Sequence, residues 1–406
     1  MIKFNFDLGC NIGKWIDAND NGVDMFVGVE PNPELYERVK RKYQDNTRIQ
    51  ILNYLVAEVD DEERDFYVSL SSPDAEVSTA SLTWKNKSRH NKTTGWADPI
   101  KVKTITLDTL IAQYGVPSTV KIDVEGYEFN VLRGLSQKCG DISFEWVAED
   151  FNAAIACLGR LEELGYHQFN LQGADDDPAY KPSGYCGRAE ILSEFKEMEG
   201  TTAWGMLYAR YIDFKVKIIS LETRPERLQA ALSELPKIGV TEYEWFPAFT
   251  GGALGCDKSH NACLAGEGPL LILEDDVVFE PGAFERMNKA ICQLPDDWDI
   301  LYLGANVKAP ASRHSDNLFR VRSGVHTTHA MLYSAKGRQS MHDLYHPGEK
   351  DIPTIDHWLY TEGLNLMNCY VVWPMIAYQR ADHSDIRLAY YDYKQEMMDN
   401  QKLHME

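Results

Sequence analysis

The sequence predicts an α/β protein of two domains, and three observations support this fold class. Strand patterns alternate with helical patterns over most of the 406 residues, which is typical of a mostly parallel sheet covered on both faces. The pattern begins again near residue 212, at "FKVKIISLETRPERLQAAL". The chain is also longer than the roughly 100–200 residues of an ordinary domain. We therefore expect one domain over residues 1–212 and a second over residues 213–406.

The composition is globular and strongly acidic. Apolar residues make up 44% and charged residues 25%, the formal net charge is -21, and the pI is near 5.0. Nucleic-acid affinity depends on clustered Lys and Arg, so we expect no nucleic-acid partner. No stretch approaches the ~20 apolar residues of a membrane helix, so we expect no integral membrane segment. The eight cysteines form no C-x-x-C pair, which indicates reduced thiols and a cytoplasmic location.

The elements of the first half follow one another in a regular order. "FNFDLGCNIG" predicts a strand, a glycine turn and a helix start, and "VGVEPNPELYERV" repeats that order. A polar stretch from Leu171 to Glu199 is predicted to be a loop. The remaining predicted strands are "RIQILNYLVA", "RDFYVSL", "IKVKTITLD", "TVKIDVEG", "DISFEWV" and "WGMLYARY", and the predicted helices are "DTLIAQYG", "FNVLRGLSQ" and "NAAIACLGRLEELG".

The first glycine turn has features of a cofactor site. Asp7 ends the strand, and Gly9 and Gly13 let the backbone turn closely around a ligand. Glu30 follows the next strand, where an acidic residue in such folds accepts hydrogen bonds from ribose hydroxyls. The spacing G-x-x-x-G differs from the G-x-G-x-x-G that binds a pyrophosphate. This difference favours an adenosyl cofactor without phosphates, although a plain strand-to-helix turn is the simpler alternative.

A second charged strand end lies in "VKIDVEGYEF". Alternation places Lys121, Asp123 and Glu125 on one face of this strand, and Gly126 allows the chain to turn. Charged side chains within a sheet are costly unless they face a site. The alternative is a solvated strand end whose lysine and acids pair with one another.

Together with "VEPNP", "STASL", "TITLDTL" and "LEELGY", these motifs resemble FkbM-family methyltransferases over nearly all of residues 1–211. The resemblance implies a Rossmann-like domain, S-adenosylmethionine as cofactor and O-methylation, commonly of sugars. It also implies two groups of site residues: Asp7, Gly9, Gly13 and Glu30 for the cofactor, and Asp123 and Glu125 at the reacting centre. Of these, Asp123 is our choice of base. The chain starts at its first strand, so we expect a cover over the cofactor from the 171–199 loop, the second domain or another subunit.

In the second half, an apolar strand ends in three acids at "LLILEDDVV". Alternation predicts Glu274 and Asp276 on one face and Asp275 on the other. Two carboxylates at the edge of an α/β sheet suit Mn²⁺ or Mg²⁺, which bind diphosphate oxygens. A solvated acidic turn is the plain alternative. Further strands are predicted at "YEWFPAF", "WDILYLG", "LFRVRSG", "THAMLYS" and "NLMNCYVVWP", with helices after most of them.

The motifs "IISLETRPERL", "FPAFTGG", "GCDKSHNACL", "LLILEDDVVF", "IPTIDHWL" and "WPMIAYQ" resemble glycosyltransferase family 25 over about residues 215–390. The resemblance implies a GT-A-like α/β domain, a nucleotide sugar as donor, with a UDP-hexose expected, and a role in lipopolysaccharide or related glycan assembly. It assigns metal and donor binding to the Glu274–Asp276 motif.

Further roles in the second half are predicted as follows. Arg224 and Arg227 contact the nucleotide, although exposed arginines are the simpler alternative. Asp356 is our general base for inverting transfer, with a helix N-cap as the alternative. His383 is a third metal ligand, because neutral imidazole binds Mn²⁺. His260 and His329 are expected to be structural.

The leading hypothesis is a bifunctional enzyme that methylates a sugar hydroxyl and transfers a glycosyl group, with a glycan or sugar as acceptor. The alternative is a glycan- or nucleotide-binding protein in which one or both catalytic domains are inactive. An NAD-dependent oxidoreductase is disfavoured by the absent G-x-G-x-x-G. The oligomeric state is left open.

Overall fold

The computed structural model describes residues 3–70, 74–91, 93–173, 180, 184–348, 354–384 and 389–405, with side chains described outside 382–391. The chain divides into two compact units, Met1–Tyr211 and Ile212–Glu406. Both units are mixed α/β, which confirms the predicted class. Among the described residues, no helix has the length and apolar character needed to cross a membrane. All eight cysteines are free thiols.

The N-terminal unit alternates strands and helices. Its strands are β1 (Phe4–Leu8), β2 (Met25–Val29), β3 (Ile49–Leu52), β4 (Leu55–Val56), β5 (Glu63–Phe66), β6 (Ile100–Ile105), β7 (Thr119–Ile122), β8 (Asp141–Val147), β9 (Gln168–Gln172) and β10 (Trp204–Arg210). Its helices are α1 (Lys14–Asn19), α2 (Pro33–Lys42), α3 (Leu82–Lys87), α4 (Leu107–Tyr114), α5 (Glu128–Arg133), α6 (Phe151–Glu163) and α7 (Arg188–Glu197), with a 3-10 turn at Ala148–Asp150.

The main sheet of this unit has the order β3-β2-β1-β7-β8-β10-β9. The first five strands are parallel, and β10 runs antiparallel to both of its neighbours. Every residue of β1, "FNFDL", is buried, as expected for a central strand covered on both faces. The carboxyl ends of β1, β2 and β7 meet at one edge of the sheet. The glycine turn, Glu30 and the segment from Asp123 to Glu125 therefore lie at that same edge.

The loop prediction for residues 171–199 is wrong in part. This stretch contains the end of β9 and the whole of α7. Ile191 and Phe195, one helical turn apart, are buried in the main core of the unit. Together with the partly buried Leu192 and Met198, these two residues anchor the helix on the core, although many of the surrounding residues are polar.

The C-terminal unit also alternates strands and helices. Its strands are β11 (Lys215–Ser220), β12 (Glu244–Pro247), β13 (Leu270–Glu274), β14 (Val277–Phe279), β15 (Ile300–Tyr302), β16 (Asn306–Val307), β17 (Ser312–Arg313), β18 (Leu318–Val321), β19 (Val325–His326), β20 (Ala330–Tyr333), β21 (Cys369–Val372), β22 (Ala377–Gln379), β23 (Asp382–Ser384) and β24 (Ala389–Tyr391). Its helices are α8 (Pro225–Leu232), α9 (Ala253–Cys263), α10 (Ala283–Cys292), α11 (Ala335–Leu344), α12 (Ile355–Trp358), α13 (Leu364–Leu366) and α14 (Tyr393–Met405), with a 3-10 helix at Leu235–Ile238 and a π-helix at Leu359–Gly363.

The large sheet of this unit has the order β12-β11-β13-β20-β15-β21-β18-β17 and mixes parallel and antiparallel pairs. Its strand β13 is flanked on both sides, and residues 270–273 are fully buried. Because β13 ends at Glu274, the three acids that follow the apolar run lie where a central strand leaves the sheet.

Candidate functional site

A cavity of about 900 Å³ opens at the carboxyl edge of the sheet in the N-terminal unit. Its floor is the glycine turn and Glu30, and one wall carries several carboxylates. Aromatic side chains contribute much of the remaining surface. The lining residues include Gly9, Asn11, Trp15, Glu30, Tyr54, Glu76, Trp84, Lys121, Asp123, Glu125, Ser143, Glu145 and Trp204.

The glycine turn needs two left-handed backbone positions. Gly9 has φ +78°, and a Cβ there would overlap the backbone carbonyl of Asp123. Gly13, also at φ +78°, is the N-cap of α1, and a Cβ there would overlap the ring of Tyr43, whose hydroxyl donates to the Gly13 carbonyl at 2.9 Å. Gly9 lines the cavity whereas Gly13 does not. The structure thus gives Gly13 a packing role, and its cofactor contact stays a prediction.

Glu30 is buried at the cavity floor with only 4% of its surface exposed. Its Oε2 accepts the backbone N–H of Asn11 and its Oε1 accepts that of Asn32, both at 2.9 Å. Burial raises the pKa of Glu30 to about 7, although the two hydrogen bonds act in the opposite direction. A carboxylate oxygen has more than one acceptor position, so both oxygens can still accept hydrogen bonds from hydroxyls in the cavity. This arrangement fits the ribose of an adenosyl cofactor.

Asp7 is fully buried behind the cavity wall and does not line it. Neither of its carboxylate oxygens makes a hydrogen bond with the described residues, and its ion pair is with Lys121 Nζ at 3.4 Å. Burial raises the pKa of Asp7. Lys121 also lies 3.1 Å from Asp123. Asp7 therefore orients the lysine that neutralises Asp123, and direct contact of Asp7 with a cofactor stays a prediction.

Three carboxylates meet at the wall of the cavity. Asp123, Glu125 and Glu145 each place an oxygen within 4.8 Å of the others. Burial raises the pKa values of Glu125 and Glu145 well above the ordinary range, and the charge of Asp123 adds to both shifts. Neighbouring carboxylates resist simultaneous ionisation, so this group is suited to sharing a proton. It can accept or return a proton at a reacting hydroxyl.

Glu145 was not singled out from the sequence, although a signal was present. Strand β8 pairs with β7 so that Ser143 lies opposite Lys121. Alternation along "DISFEWV" then places Glu145 on the same face as Ser143 and beside the strand end that carries Asp123. Only the strand order reveals this proximity, because no local sequence motif shows that β8 pairs with β7.

The cover over the glycine turn comes from within the N-terminal unit. Asn11 Nδ2 donates to the Asp74 carbonyl at 2.8 Å, and Lys14 pairs with Glu76 at 3.1 Å. Further along, Trp84 packs against Gly126, so the segment between residues 74 and 90 spans both strand-end turns. Of the predicted 171–199 loop, Gln172 lines the cavity, whereas residues 174–179 and 181–183 lie outside the described residues.

In the C-terminal unit, the predicted alternation stops at Glu274. Asp275 and Asp276 form a turn after β13, so they do not continue the strand geometry. Arg227 Nη2 reaches both of them, at 2.8 Å from Asp275 and 3.5 Å from Asp276. The prediction that Asp275 faces away from Asp276 is therefore wrong, because a turn replaces the strand at that point.

The two predicted metal ligands have different surroundings. Glu274 Oε1 lies 2.9 Å from His260 Nε2 and accepts the Thr328 hydroxyl at 2.7 Å. Burial would raise the pKa of Glu274, but His260 and Thr328 outweigh it and lower the value. Burial and the charge of Glu274 raise the pKa of Asp276 to about 8, and its Oδ1 makes no hydrogen bond with the described residues.

The remaining predicted residues are placed as follows. Asp356 lies in the first turn of α12 and accepts the Thr354 hydroxyl at 2.7 Å. Although burial opposes it, hydrogen bonds from His326 and Thr354 lower the pKa of Asp356 to about 2, which makes this carboxylate a weak base. Arg224 precedes α8; burial raises the pKa of Asp275, and the charges of Arg227 and Arg224 offset part of that rise. The side chain of His383 lies outside the described residues.

Part of the N-terminal unit is similar to a known protein family. Residues 7–167 match the family model of the methyltransferase FkbM domain. No curated protein matches the chain significantly. The match supports the prediction of a methyltransferase in this part of the chain. It ends before the C-terminal unit, where the resemblance to glycosyltransferase family 25 stays a prediction.

Several solved structures are similar to about half of the chain. They include precorrin-8w decarboxylase of Methanobacterium thermoautotrophicum (12% identity, 51% of this chain and 81% of that chain, TM-score 0.26) and precorrin-6y C5,15-methyltransferase from Geobacter metallireducens (10%, 52% and 80%, 0.25). Fibrillarin from Aeropyrum pernix, which carries natively bound S-adenosyl-L-methionine, is similar at 10% identity over 51% of this chain and 66% of that chain, with a TM-score of 0.26.

Proposed function

We propose that the N-terminal unit is an S-adenosylmethionine-dependent O-methyltransferase that acts on a sugar hydroxyl. The observation that carries this proposal is that one cavity is lined both by the glycine turn and Glu30 and by the Asp123, Glu125 and Glu145 carboxylates. The first pair of features suits an adenosyl ribose, and the carboxylates suit a hydroxyl acceptor. The family match over residues 7–167 supports the methyltransferase class.

S-adenosylmethionine, when bound, supplies a methyl group on a positively charged sulfur and leaves as a neutral thioether. Glu30 and the backbone around Gly9 would hold the adenosyl part. Methyl transfer joins the acceptor oxygen to the methyl carbon while the carbon–sulfur bond breaks, and the hydroxyl proton must go to a base. The protein contributes mainly by holding the two reactants in line, which converts a bimolecular step into an intramolecular one.

The base is better placed at Glu125, with Glu145 as its neighbouring carboxyl, than at Asp123. The Asp123 carboxylate is already engaged in an ion pair with Lys121 Nζ at 3.1 Å. No ion pair or hydrogen bond to a described residue neutralises the carboxylates of Glu125 and Glu145, and their pKa values are raised. A carboxylate with a raised pKa is a stronger base. It therefore accepts the proton more readily as the acceptor hydroxyl becomes an oxonium in the transition state.

A sugar suits the cavity as the acceptor. Trp15, Tyr54, Trp84 and Trp204 line it, and flat aromatic faces pack against the C–H surfaces of sugars and against an adenine. The nearby carboxylates accept hydrogen bonds from neighbouring hydroxyls. The volume of about 900 Å³ leaves room for both a cofactor and a small acceptor.

The test is mass spectrometry of a sugar and glycan panel incubated with the full chain and S-adenosylmethionine. The proposal predicts a gain of one methyl group on a hydroxyl of at least one acceptor, with loss of product in Glu125→Gln. Exposed Glu197, on α7, provides the matched control Glu197→Gln, which should retain the activity. Methylation only of amines or thiols, with every sugar unmodified, would overturn the assignment.

For the C-terminal unit we propose metal-dependent transfer from a nucleotide sugar, which is also the basis for proposing a bifunctional enzyme. The favouring observation is Asp276, a half-buried carboxylate in the turn after β13 whose Oδ1 is buried and has no hydrogen-bond partner among the described residues. Mn²⁺ or Mg²⁺ would coordinate this oxygen and would also bind diphosphate oxygens. Glu274 and His383 are the further proposed ligands, Arg224 and Arg227 the proposed nucleotide contacts, and Asp356 the proposed base.

This second proposal is tested separately by calorimetry of uridine diphosphate with the full chain in the presence of Mn²⁺. Binding should require the metal and should be lost in Asp276→Asn, while S-adenosylmethionine binding to the same variant stays unchanged. Metal-independent binding, or no binding at saturating concentrations, would contradict it.

A further inference from the structure

A second group of metal-binding side chains lies in the C-terminal unit. Cys256, His260 and Glu274 each place one ligand atom within 4.8 Å of the other two. Cys256 and His260 are four residues apart on α9, so they share one face of that helix. Glu274, at the end of β13, faces them from the sheet. The group therefore combines one sulfur, one imidazole nitrogen and one carboxylate oxygen.

Helix α9 is held rigidly in front of the sheet. The Ser259 hydroxyl accepts the backbone N–H of Phe249 at 2.9 Å, and Asp257 accepts that of Ile355 at 3.0 Å. Gly255 lies so close to the Phe249 carbonyl that a Cβ would overlap it. These contacts fix the face of α9 that carries Cys256 and His260. A site with fixed side chains loses little conformational entropy when an ion binds.

The surroundings of this group are unusually negative for a buried place. The carboxylates of Glu274, Asp257, Asp356 and Asp276 all lie near enough to the Cys256 thiol to act on it electrostatically. Arg227 pairs with Asp275 and Asp276. A bound divalent ion would neutralise this field and would deprotonate the thiol directly.

Two buried histidines have ring nitrogens without a regular hydrogen bond to the described residues. His260 is fully buried, and its Nδ1 has no such partner although its Nε2 contacts Glu274. His329 is also fully buried; neither ring nitrogen makes a regular hydrogen bond to the described residues, although the ring interacts with the Ala377 backbone. It lies next to Glu274, whose backbone N–H donates to the His329 carbonyl at 2.9 Å. Unpaired buried imidazole nitrogens are costly unless a ligand completes them.

We propose that Cys256, His260 and Glu274 bind a transition-metal ion, with Zn²⁺ as the expected occupant. Thiolate and imidazole ligands select Zn²⁺ over Mg²⁺, Mn²⁺ and Ca²⁺, which prefer oxygen ligands. Three protein ligands leave the fourth tetrahedral position open to water or a substrate atom. This site is independent of the methyltransferase proposal. It differs from the proposed glycosyltransferase metal site because it uses Cys256 and His260 in place of Asp276.

The test uses the full chain, stripped of metal under reducing conditions and titrated with Co²⁺, which reports its ligands by its absorption spectrum. The proposal predicts one Co²⁺ per chain, a thiolate-to-cobalt charge-transfer band in the near ultraviolet, and displacement by Zn²⁺. Cys256→Ser should abolish the band, and His260→Gln should weaken binding at least ~10-fold, as changes around metal ligands commonly do.

Two control variants make the result specific. Cys263→Ala removes another buried thiol of α9 and should keep the band, as should Asp276→Asn. Circular dichroism and the unfolding midpoint verify that each variant is folded, and His260→Gln serves if Cys256→Ser does not fold. The proposal is overturned if the wild-type chain binds no stoichiometric metal, if the band survives Cys256→Ser, or if Asp276→Asn alone removes it. The His260–Glu274 contact would then be a buried hydrogen bond and nothing more.

Discussion

Replacing Glu30 by glutamine tests the cofactor floor through its pH dependence. The ordinary pKa of this group is 4.5, and the folded protein raises it to about 7, chiefly by burial. Because the folded pKa is the higher one, the stability from this group is full below the unfolded pKa and is lost as the pH rises through about 7. The difference corresponds to about 3.4 kcal/mol, of which about 2.5 kcal/mol falls between about pH 5 and about pH 8.

The amide introduced by Glu30→Gln would not titrate, so the variant should lack this loss. The amide nitrogen would face one of the two backbone N–H groups that now donate to Glu30. The loss of that hydrogen bond would lower the unfolding free energy by about 1–3 kcal/mol at every pH. The variant is therefore expected to be less stable than the wild type near pH 5. By about pH 8 the difference between their unfolding free energies should have shifted by about 2.5 kcal/mol in favour of the variant.

The assay is denaturant unfolding of the full chain at several pH values, following the transition that S-adenosylmethionine shifts. All other titrating groups are common to both proteins, so the difference between the two unfolding free energies isolates Glu30. Bound S-adenosylmethionine should flatten the wild-type dependence, because ribose hydroxyls donate to the ionised carboxylate. A difference that stays constant across this pH range would refute the reasoning.

Three further predictions concern other parts of the two sites. Gly9→Ala should weaken S-adenosylmethionine binding at least ~10-fold by calorimetry, whereas Gly22→Ala, at a similar φ but with open space around it, should not. Glu145→Gln should move the acidic limb of the methyl-transfer pH profile down by about one pH unit, since a neighbouring negative charge is removed; an unmoved limb would contradict the shared proton. Arg227→Met should cost about 3–5 kcal/mol in unfolding free energy by leaving Asp275 buried without its cation, and Arg227→Lys should recover part of it.

The sequence predicted most of the fold because its strands are either continuously apolar or clearly bounded by turns. The buried run of β1 and the apolar start of β13 are examples. It missed α7, whose buried face consists mainly of Ile191 and Phe195 within a polar stretch. The prediction also continued the strand alternation two residues beyond the end of β13, because no residue near Asp275 indicates a turn.

The candidate site was predicted where function depends on local backbone geometry, and missed where it depends on strand order. Gly9 and Glu30 could be placed from a turn and the strand that follows it. Glu145 could not, because its proximity to Asp123 arises from the pairing of β7 with β8. The group of Cys256, His260 and Glu274 was missed for the same reason, since helix and sheet packing brings them together.

The most direct test of the central claim is isothermal titration calorimetry of S-adenosylmethionine with the purified full chain. We predict one binding site per chain and at least ~10-fold weaker binding, or about 1.4 kcal/mol, in Glu30→Ala. The claim is contradicted if S-adenosylmethionine does not bind at saturating concentrations, or if Glu30→Ala, folded by circular dichroism, binds it as tightly as the wild type.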